Sequence, residues 1–267
     1  MIGIRMNKFS FLRSTRVRSP DIWEAPPTPI FNGPPQPEEP VCLVGDLHGC
    51  AGLLSRLLAR RRQHFPEHRL IVLGDMIDRG EESARVLELL GEEAAAGAVC
   101  LRGNHEEMFL AFLDNPVQAG RHWLHHGGLS TLASFGWRGI PSDRASRVRA
   151  RDVICEQMAP GTVDWLRSLP LIWQSGDLVA VHAGLDPGLP VEEQKTSTLV
   201  WGHSAFEWQP RTDGLYVAYG HTVVRRPHLR DGKLAIDTGA YATGTLSYAL
   251  IDPAAPDPER IVFGEVR

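Results

Sequence analysis

Six short apolar runs in this chain each end at a polar side chain of a type that can bind a metal ion or a phosphate group. The runs read VCLVGDLHG (41–49), LIVLGDMIDRG (70–80), VCLRGNHE (99–106), LVAVHAG (178–184), YVAYGHT (216–222) and LAIDTG (234–239). The first five contain the candidate metal ligands Asp46, His48, Asp75, Asn104, His182 and His221. Carboxylate, amide and imidazole ligands suit Mn²⁺, Fe²⁺ or Zn²⁺. We therefore predict two divalent metal ions, with Mn²⁺ first and Fe or Zn as the alternatives.

These ligands have the composition that a two-metal hydrolytic centre requires. Hydrolysis of a phosphate ester needs a nucleophile at neutral pH and positive charge around the phosphoryl group, and two metals about 3.5–4 Å apart supply both. Asp46 and His48 can reach one ion, because alternate residues of an extended segment point the same way. Asp75 has two carboxylate oxygens and can bridge the ions. The other three ligands are predicted to complete the shell of the second ion.

Two arginines and a histidine lie beside these ligands in the sequence. Arg79 stands in GDMIDRG and Arg102 in LRGNHE, and the guanidinium fork matches phosphate oxygens. His105 is expected to protonate the leaving oxygen as a general acid. Asp78 is expected to orient His105 and keep it charged, as carboxylates do for catalytic histidines.

The spacing of three ligands predicts how they converge. Asp75 lies 29 residues after Asp46 (75 − 46), and Asn104 lies 29 residues after Asp75 (104 − 75). About 30 residues is the length of a βαβ unit, whose strands are parallel. The carboxyl ends of such strands lie at one edge of the sheet, where open α/β sheets bind ligands. The equal spacing therefore predicts that these residues meet in space.

The pattern of predicted helices and strands changes along the chain. Strands and helices alternate from residue 41, and residues 105–175 are mostly helical and irregular in pattern, which predicts a helical insertion at about 107–170. After residue 170 short strands return with turn signals between them, and their close spacing predicts antiparallel pairing. We predict one catalytic domain over residues 41–267, of class α/β (α+β).

The composition is that of an ordinary globular protein. The chain has 267 residues, with 43% hydrophobic and 22% charged residues, and its formal net charge is −4. That charge gives no general attraction to nucleic acid or to an anionic membrane. No apolar run approaches the roughly 18 residues of a membrane span. The four cysteines form no C-x-x-C pair, so reduced thiols and a cytoplasmic location are expected.

Residues 1–40 differ from the remainder. The first 18 residues contain five basic residues and no acidic one, and a proline-rich stretch follows. Proline at this density disfavours helix and sheet, so we predict a disordered or polyproline-like tail. No apolar segment of a secretory signal follows the basic residues. Two interpretations remain open: a solvated tail, or a segment that contacts a partner or a neighbouring subunit.

Taken together, the motifs resemble those of a known family. GD-x-HG, GD-x-x-DRG, GNHE, a later HAG and a later GHT occur in this order from about Val41 to about Ile251. These motifs and their order are similar to those of the phosphoprotein phosphatase family of calcineurin-like metallophosphoesterases. The stretch W-x-x-x-GG-x-x-T-x-x-S-x-G (123–136) is similar to the bacterial and phage members of that family, and the resemblance is to the bacterial serine/threonine protein phosphatase type.

The resemblance implies a fold, a ligand assignment and a mechanism. The fold is a sandwich of two mixed β-sheets flanked by helices, with a dinuclear metal site at the strand ends. One metal takes Asp46, His48 and Asp75, and the other takes Asp75, Asn104, His182 and His221. Arg79 and Arg102 bind the phosphate, and Asp78–His105 is the acid pair. A metal-bridging hydroxide attacks in line, with no phosphoenzyme.

One position departs from the family pattern and leaves the substrate open. The family has a tryptophan followed two positions later by a phosphate-binding arginine, whereas here the stretch LVWGHSAF places His203 at that position. His203 is retained as a candidate phosphate ligand. Serine/threonine protein phosphatase is the first hypothesis, and hydrolysis of dinucleoside polyphosphates such as diadenosine tetraphosphate is the alternative. A non-catalytic regulator is the third hypothesis, which the intact ligand set disfavours.

Overall fold

The computed structural model describes residue 31 and residues 33–267, and two five-stranded sheets form the centre of this part. The first sheet contains β1 (Val41–Val44), β2 (Arg69–Val72), β3 (Val99–Cys100), β9 (Leu246–Ile251) and β10 (Ile261–Val266). The second contains β4 (Ile172–Ser175), β5 (Leu178–Val181), β6 (Tyr216–Tyr219), β7 (His228–Arg230) and β8 (Lys233–Ala235). The strand orders are β10-β9-β1-β2-β3 and β4-β5-β6-β8-β7.

The first three strands are parallel, as the 29-residue spacing predicted. β1 pairs with β2 and β2 with β3, both in parallel register. The connections are the helices α1 (Ala51–His64) and α2 (Ser83–Ala95), which pack against each other and against the sheet through buried leucines. The carboxyl ends of the three strands therefore lie at one edge.

The prediction of antiparallel pairing after residue 170 is wrong for two pairs of strands. β4–β5 and β7–β8 are antiparallel, but β5–β6 and β6–β8 are parallel. The connection between β5 and β6 spans residues 182–215 and is long enough for a crossover, which a parallel pair requires. The sheet is mixed as a result, and β5, β6 and β8 also share one carboxyl edge.

Alternating side chains along the strands build two separate cores. In β1, Val41 and Leu43 face the second sheet and pack with residues such as Ala180 and Leu234. Cys42 and Val44 face the helices on the other side. This period of two is a property of extended backbone. The outer face of the second sheet is covered by a smaller cluster that includes Leu199 of α8 (Thr196–Trp201).

The segment between β3 and β4 is helical. It comprises α3 (Asn104–Asp114), α4 (Pro116–Trp123), α5 (Leu129–Ser134), α6 (Arg144–Gln157) and α7 (Thr162–Ser168). A π-helical turn over Leu124–Gly128 joins α4 to α5, and Gly127 within it has a φ of 107°. A short helix, α9 (Ala240–Thr243), follows β8. Among the described helices, none has the length and apolar character of a membrane span.

The described end of the proline-rich segment lies against the second sheet, before the predicted start of the domain at residue 41. Pro35 and Pro37 are buried, and the backbone N–H of Glu38 donates to Ser175 Oγ at 2.9 Å. The ring of Phe31 packs on Tyr216, with centroids 5.0 Å apart. Buried prolines leave no N–H without a partner, which suits them to an irregular covering segment. The predictions for residues 1–30 and 32 lie outside the described residues.

Candidate active site

The loops that follow five strands meet at one place between the two sheets. Asp46, Asp75 and Asn104 follow the parallel strands of the first sheet, and His182 and His221 follow strands of the second. His182 Nε2 lies 2.9 Å from Asn104 Oδ1, and His221 Nδ1 lies 3.0 Å from the same oxygen. Residues far apart in sequence are therefore in direct contact, because both sheets turn their carboxyl edges to this site.

Asp75 is shared by two groups of side chains that can hold a metal ion. The first group consists of His48, Asp75 and His105, and the second of Asp75, His182 and His221. The two oxygens of Asp75 point to different histidines: Oδ2 lies 3.5 Å from His48 Nε2, and Oδ1 lies 3.3 Å from His182 Nε2. This arrangement suits a carboxylate that bridges two ions.

The hydrogen bonds of two histidines show that a cation fits here. His48 Nδ1 lies 2.8 Å from the carbonyl oxygen of Ile77, and His182 Nδ1 lies 2.8 Å from that of Leu73. Each Nδ1 therefore carries the hydrogen, and each Nε2 presents a lone pair. Burial lowers the pKa of both rings, that of His48 to about 3, so the rings are neutral. The lone pairs face the oxygens of Asp75, and two acceptors at this distance repel unless a cation lies between them.

The buried carboxylates lead to the same conclusion. Asp46, Asp75, Asp237 and Glu106 are all buried at the site. Burial and the nearby charges of Asp237 and Asp75 raise the pKa of Asp46 well above its ordinary value. Burial also raises the pKa of Asp237 to about 6. Bound cations would compensate this excess of negative charge.

Asp46 belongs to neither of these two groups and contacts the loop after β6. The backbone N–H of His221 donates to both carboxylate oxygens of Asp46, at 3.1 Å each. A Cβ on Gly220 would collide with Asp46 Oδ1. The carboxylate thus joins the loop after β1 to the loop after β6, which explains why a glycine precedes His221.

Unusual backbone conformations concentrate at the site. Six non-glycine residues of the described chain have a positive φ, and five of them are His48, Asp75, Asp78, Arg79 and His221. Their φ values lie between 43° and 71°. This left-handed region is unfavourable for side chains with a Cβ, and residues held in it cluster at functional sites. The strain aims these side chains at one point.

His105 and Asp78 form a buried pair. His105 Nδ1 lies 2.7 Å from Asp78 Oδ2, and neither side chain is exposed. Burial alone would lower the pKa of His105, but the carboxylates of Asp75 and Asp78 raise it above the ordinary value. His105 Nε2 faces Arg79 Nη2 at 3.1 Å. The pair has the geometry of an acid held in one orientation by a carboxylate.

The three predicted phosphate ligands occupy different surroundings. Arg79 is exposed, and its guanidinium carbon lies 4.9 Å from the ring centroid of Tyr241. Arg102 donates to Glu107 at 3.0 Å and to the Leu169 carbonyl at 3.2 Å. Its Nε is buried and has no hydrogen-bond partner within the described part of the chain.

The third of these ligands, His203, lies further from the acid pair. Its Nε2 is 3.7 Å from Asp186 Oδ2. It lines a cavity of about 460 Å³ together with His221 and Trp201. Arg79 is therefore the only one of the three in contact with His105 among the described residues.

Glu106 is a site residue whose role the sequence did not reveal. Its buried carboxylate accepts the backbone N–H groups of Asp75 at 2.9 Å, Met76 at 2.8 Å and Gly103 at 2.9 Å. It therefore ties the loop after β2 to the start of α3, which carries Asn104. The only signal was its place at the end of GNHE, a motif read for its asparagine and histidine.

The fold and this site define a class of protein. Residues 39–225 match the calcineurin-like phosphoesterase family, so the chain belongs to that family and is a metallophosphoesterase. The resemblance deduced from the motifs is confirmed, as is the fold of two mixed sheets flanked by helices. Family membership and the His/Asp ligand groups imply divalent metal ions.

Relatives with two different named activities have the same sequence identity to this chain. The asymmetrical bis(5'-nucleosyl)-tetraphosphatase PrpE of Bacillus velezensis is 29% identical over 221 residues, which cover 74% of this chain and 83% of the relative. Serine/threonine-protein phosphatase 1 of Salmonella typhimurium is 29% identical over 219 residues, which cover 79% of this chain and 91% of the relative. Identity alone therefore does not distinguish the substrates.

Solved structures agree on the fold. A protein serine/threonine phosphatase of Saccharomyces cerevisiae superposes with a TM-score of 0.56 at 15% identity, and covers 86% of this chain and 80% of its own. A cold-active protein-tyrosine phosphatase of a Shewanella species superposes with a TM-score of 0.56 at 16% identity. The match covers 85% of this chain and 77% of the Shewanella chain.

Metal binding is expected to stabilise the protein, because it removes the repulsion among the buried carboxylates and imidazole lone pairs. At a metal concentration 100 times the Kd, binding to the folded state alone adds about 2.7 kcal/mol. For a chain of this size that corresponds to a rise in Tm of about 5–10 °C. The measurement is a thermal scan of the chelator-treated protein with and without Mn²⁺. An unchanged Tm at saturating Mn²⁺, Fe²⁺ and Zn²⁺ would contradict the ligand assignment.

Proposed function

We propose that this protein hydrolyses phosphate monoesters and that its substrates are phosphorylated serine and threonine side chains of proteins. The observation that carries the proposal is the buried His105–Asp78 hydrogen bond of 2.7 Å. A dedicated general acid accelerates a reaction most when the leaving group is a strong base. The alkoxide of serine is such a group, whereas the phosphate released from an anhydride leaves without protonation.

The ligand set assigns a role to each polar side chain at the strand ends. His48, with the carboxylates of Asp46 and Asp75, would hold one divalent ion, and Asp75 with Asn104, His182 and His221 would hold a second. The expected metal is Mn²⁺, with Fe or Zn as alternatives. When bound, two such ions supply an activated water and positive charge at the phosphoryl oxygens.

The remaining groups bind the substrate and move its proton. Arg79 lies beside His105 Nε2, so a phosphoryl group bound by this guanidinium presents its ester oxygen to that nitrogen. His105 then donates its proton to the departing serine oxygen, while Asp78 holds the ring through Nδ1. Arg102 and His203 are proposed as further phosphate contacts; at present they lie beside the carboxylates of Glu107 and Asp186.

A second candidate function is favoured by two aromatic side chains at the rim of the site. Trp201 is 45% exposed and its ring lies 6.4 Å from that of His221. Tyr241 is 42% exposed and its ring lies 5.2 Å from that of His48. Exposed aromatic faces stack nucleobases, so the two rings are suited to the ends of a dinucleoside polyphosphate. This is the substrate class named for the Bacillus velezensis relative.

A turnover comparison decides between the candidates. With Mn²⁺ present, kcat/KM for a phosphoserine peptide is expected to exceed that for diadenosine tetraphosphate about tenfold or more, a transition-state difference of about 1.4 kcal/mol. p-Nitrophenyl phosphate serves as the reference substrate, and the Asp75→Asn protein as the background. Exclusive cleavage of diadenosine tetraphosphate would overturn the proposal that the protein is a protein phosphatase. If none of the three substrates is hydrolysed, the hypothesis of a non-catalytic regulator would remain.

A further inference from the structure

Asp78 accepts two hydrogen bonds that the reaction described above does not use. Trp123 Nε1 donates to its carboxylate, 2.9 Å from Oδ2 and 3.1 Å from Oδ1. Thr131 Oγ1 lies 2.6 Å from Asp78 Oδ1. Trp123, Thr131 and Asp78 are all fully buried. With the bond from His105, three side chains fix both oxygens of this carboxylate, and it has no freedom to rotate.

Both donors come from the stretch 123–136. Trp123 ends α4 and Thr131 lies in α5, so the π-helical turn between them sets their separation. The turn requires its glycines: a Cβ on Gly128 would lie 2.5 Å from the indole of Trp123. The pattern W-x-x-x-GG-x-x-T thus has a physical meaning, which is to bring an indole N–H and a hydroxyl to one buried carboxylate.

The same turn also holds the backbone beside that carboxylate. The carbonyl of Gly127 accepts the backbone N–H of Arg79 at 3.2 Å. The backbone N–H of Asp78 donates to Thr131 Oγ1 and to Ser83 Oγ, each at 3.0 Å. Asp78 and Arg79 both have a positive φ, a conformation that persists only when the surroundings hold it. The contacts from residues 127 and 131 are such a restraint.

We propose that Trp123 and Thr131 are positioning residues for general-acid catalysis, acting on His105 through Asp78. The inference rests on the proposed role of His105. Packing alone does not explain the arrangement, since the ring of Trp123 already stacks on Phe112 with centroids 4.4 Å apart. Its polar edge is turned to the carboxylate of Asp78, which bonds the ring of His105. A buried carboxylate that loses a donor shifts to find another partner, and His105 shifts with it.

The test uses substrates that differ in their need for an acid. Trp123→Phe keeps the ring packing without the N–H, and Thr131→Val keeps the shape without the hydroxyl. For each variant kcat for a phosphoserine peptide is expected to fall about 10–100-fold, as for other residues that orient a functional group through a hydrogen bond. KM and bound metal stay unchanged. With p-nitrophenyl phosphate, whose leaving group needs little protonation, the loss is expected to be less than about threefold.

Matched variants separate positioning from stability. Thr131→Ser keeps the hydroxyl and is expected to keep both activities. Trp165→Phe removes an indole N–H from α7, on the same core cluster but away from Asp78, and is expected to leave both rates unchanged. The Nδ1 proton of His105, hydrogen-bonded to Asp78, is expected at low field in the proton NMR spectrum of the protein loaded with Zn²⁺. It should broaden in Trp123→Phe and Thr131→Val and persist in Thr131→Ser.

Two results would overturn the inference. One is an equal loss with both substrates, which is the mark of a general structural defect. The other is an unchanged His105 resonance together with unchanged kcat for the peptide. If Trp123→Phe does not fold, Thr131→Val carries the test alone. A separate result tests the proposed function. If His105→Ala lowers kcat equally for the peptide and for p-nitrophenyl phosphate, the proposed function is wrong, whatever the results for Trp123→Phe and Thr131→Val.

Discussion

Replacing His105 with alanine is expected to lower kcat for a phosphoserine peptide by about 10²–10⁴-fold, the usual contribution of general-acid catalysis. The loss for p-nitrophenyl phosphate should be much smaller, because that leaving group departs without a proton. The physical basis is the 2.7 Å bond to Asp78 and the raised pKa of His105, which the carboxylates of Asp75 and Asp78 produce. Steady-state kinetics with the two substrates measure the difference.

Metal content is the control for this experiment, because the geometry offers a second role for the same side chain. His105 Nε2 lies 3.8 Å from Asp75 Oδ2, and His105 belongs to one of the two groups that can hold an ion. A general acid is dispensable for metal binding, so the alanine variant should retain both ions by elemental analysis. Loss of one ion, with equal loss of activity on both substrates, would make His105 a ligand.

The convergence of the ligands was predictable from the sequence because it depends on backbone periodicity. A repeat of about 30 residues gives parallel strands, and apolar runs mark where those strands end. Asp46, Asp75 and Asn104 could be placed at one edge on that basis. The parallel pairing of β5, β6 and β8 was not predictable in the same way, since no regular repeat separates these strands and a crossover can be irregular.

Side-chain partners were not predictable, because they depend on loop conformation. A positive φ, as at Asp78 and Arg79, is uncommon outside glycine, and only the folded chain shows it. The aromatic side chain of Trp123 indicates core packing, and its ring does pack on Phe109 and Phe112. Its N–H bond to Asp78 joins residues 45 positions apart. Long-range polar contacts of this kind leave no periodic signal in one sequence.

His203 stands where the family pattern has an arginine, and the structure shows what surrounds it. In place of an arginine fork, the cavity beside His221 has an imidazole near the carboxylate of Asp186. An imidazole makes at most one bond to a phosphate oxygen here, whereas a guanidinium makes two. If the proposed function holds, we therefore expect phosphate binding to depend more on Arg79 than on His203. The open cavity, bordered by Trp201, leaves room for a group attached to the phosphate.

Asp75→Asn is the substitution expected to have the largest effect, because Asp75 is the one side chain common to both metal-holding groups. The amide keeps the size of the carboxylate but loses its charge and one acceptor oxygen. Metal ions contribute several kcal/mol to transition-state stabilisation, and each 1.4 kcal/mol is tenfold in rate. We expect kcat to fall about a thousandfold or more with every phosphoester. We also expect the rise in Tm on adding Mn²⁺ to disappear.

Asp231 provides a matched control for that substitution. It is exposed and lies far along the chain, in the turn before β8, yet it has a positive φ of 52°, close to the 47° of Asp75. Asparagine adopts this left-handed conformation readily, so Asp→Asn leaves the backbone undisturbed at both positions. Asp231→Asn should keep full activity and the full metal-induced shift in Tm. If Asp75→Asn kept them as well, the ions would be held by the histidines without the shared carboxylate, and the bridging role of Asp75 would be wrong.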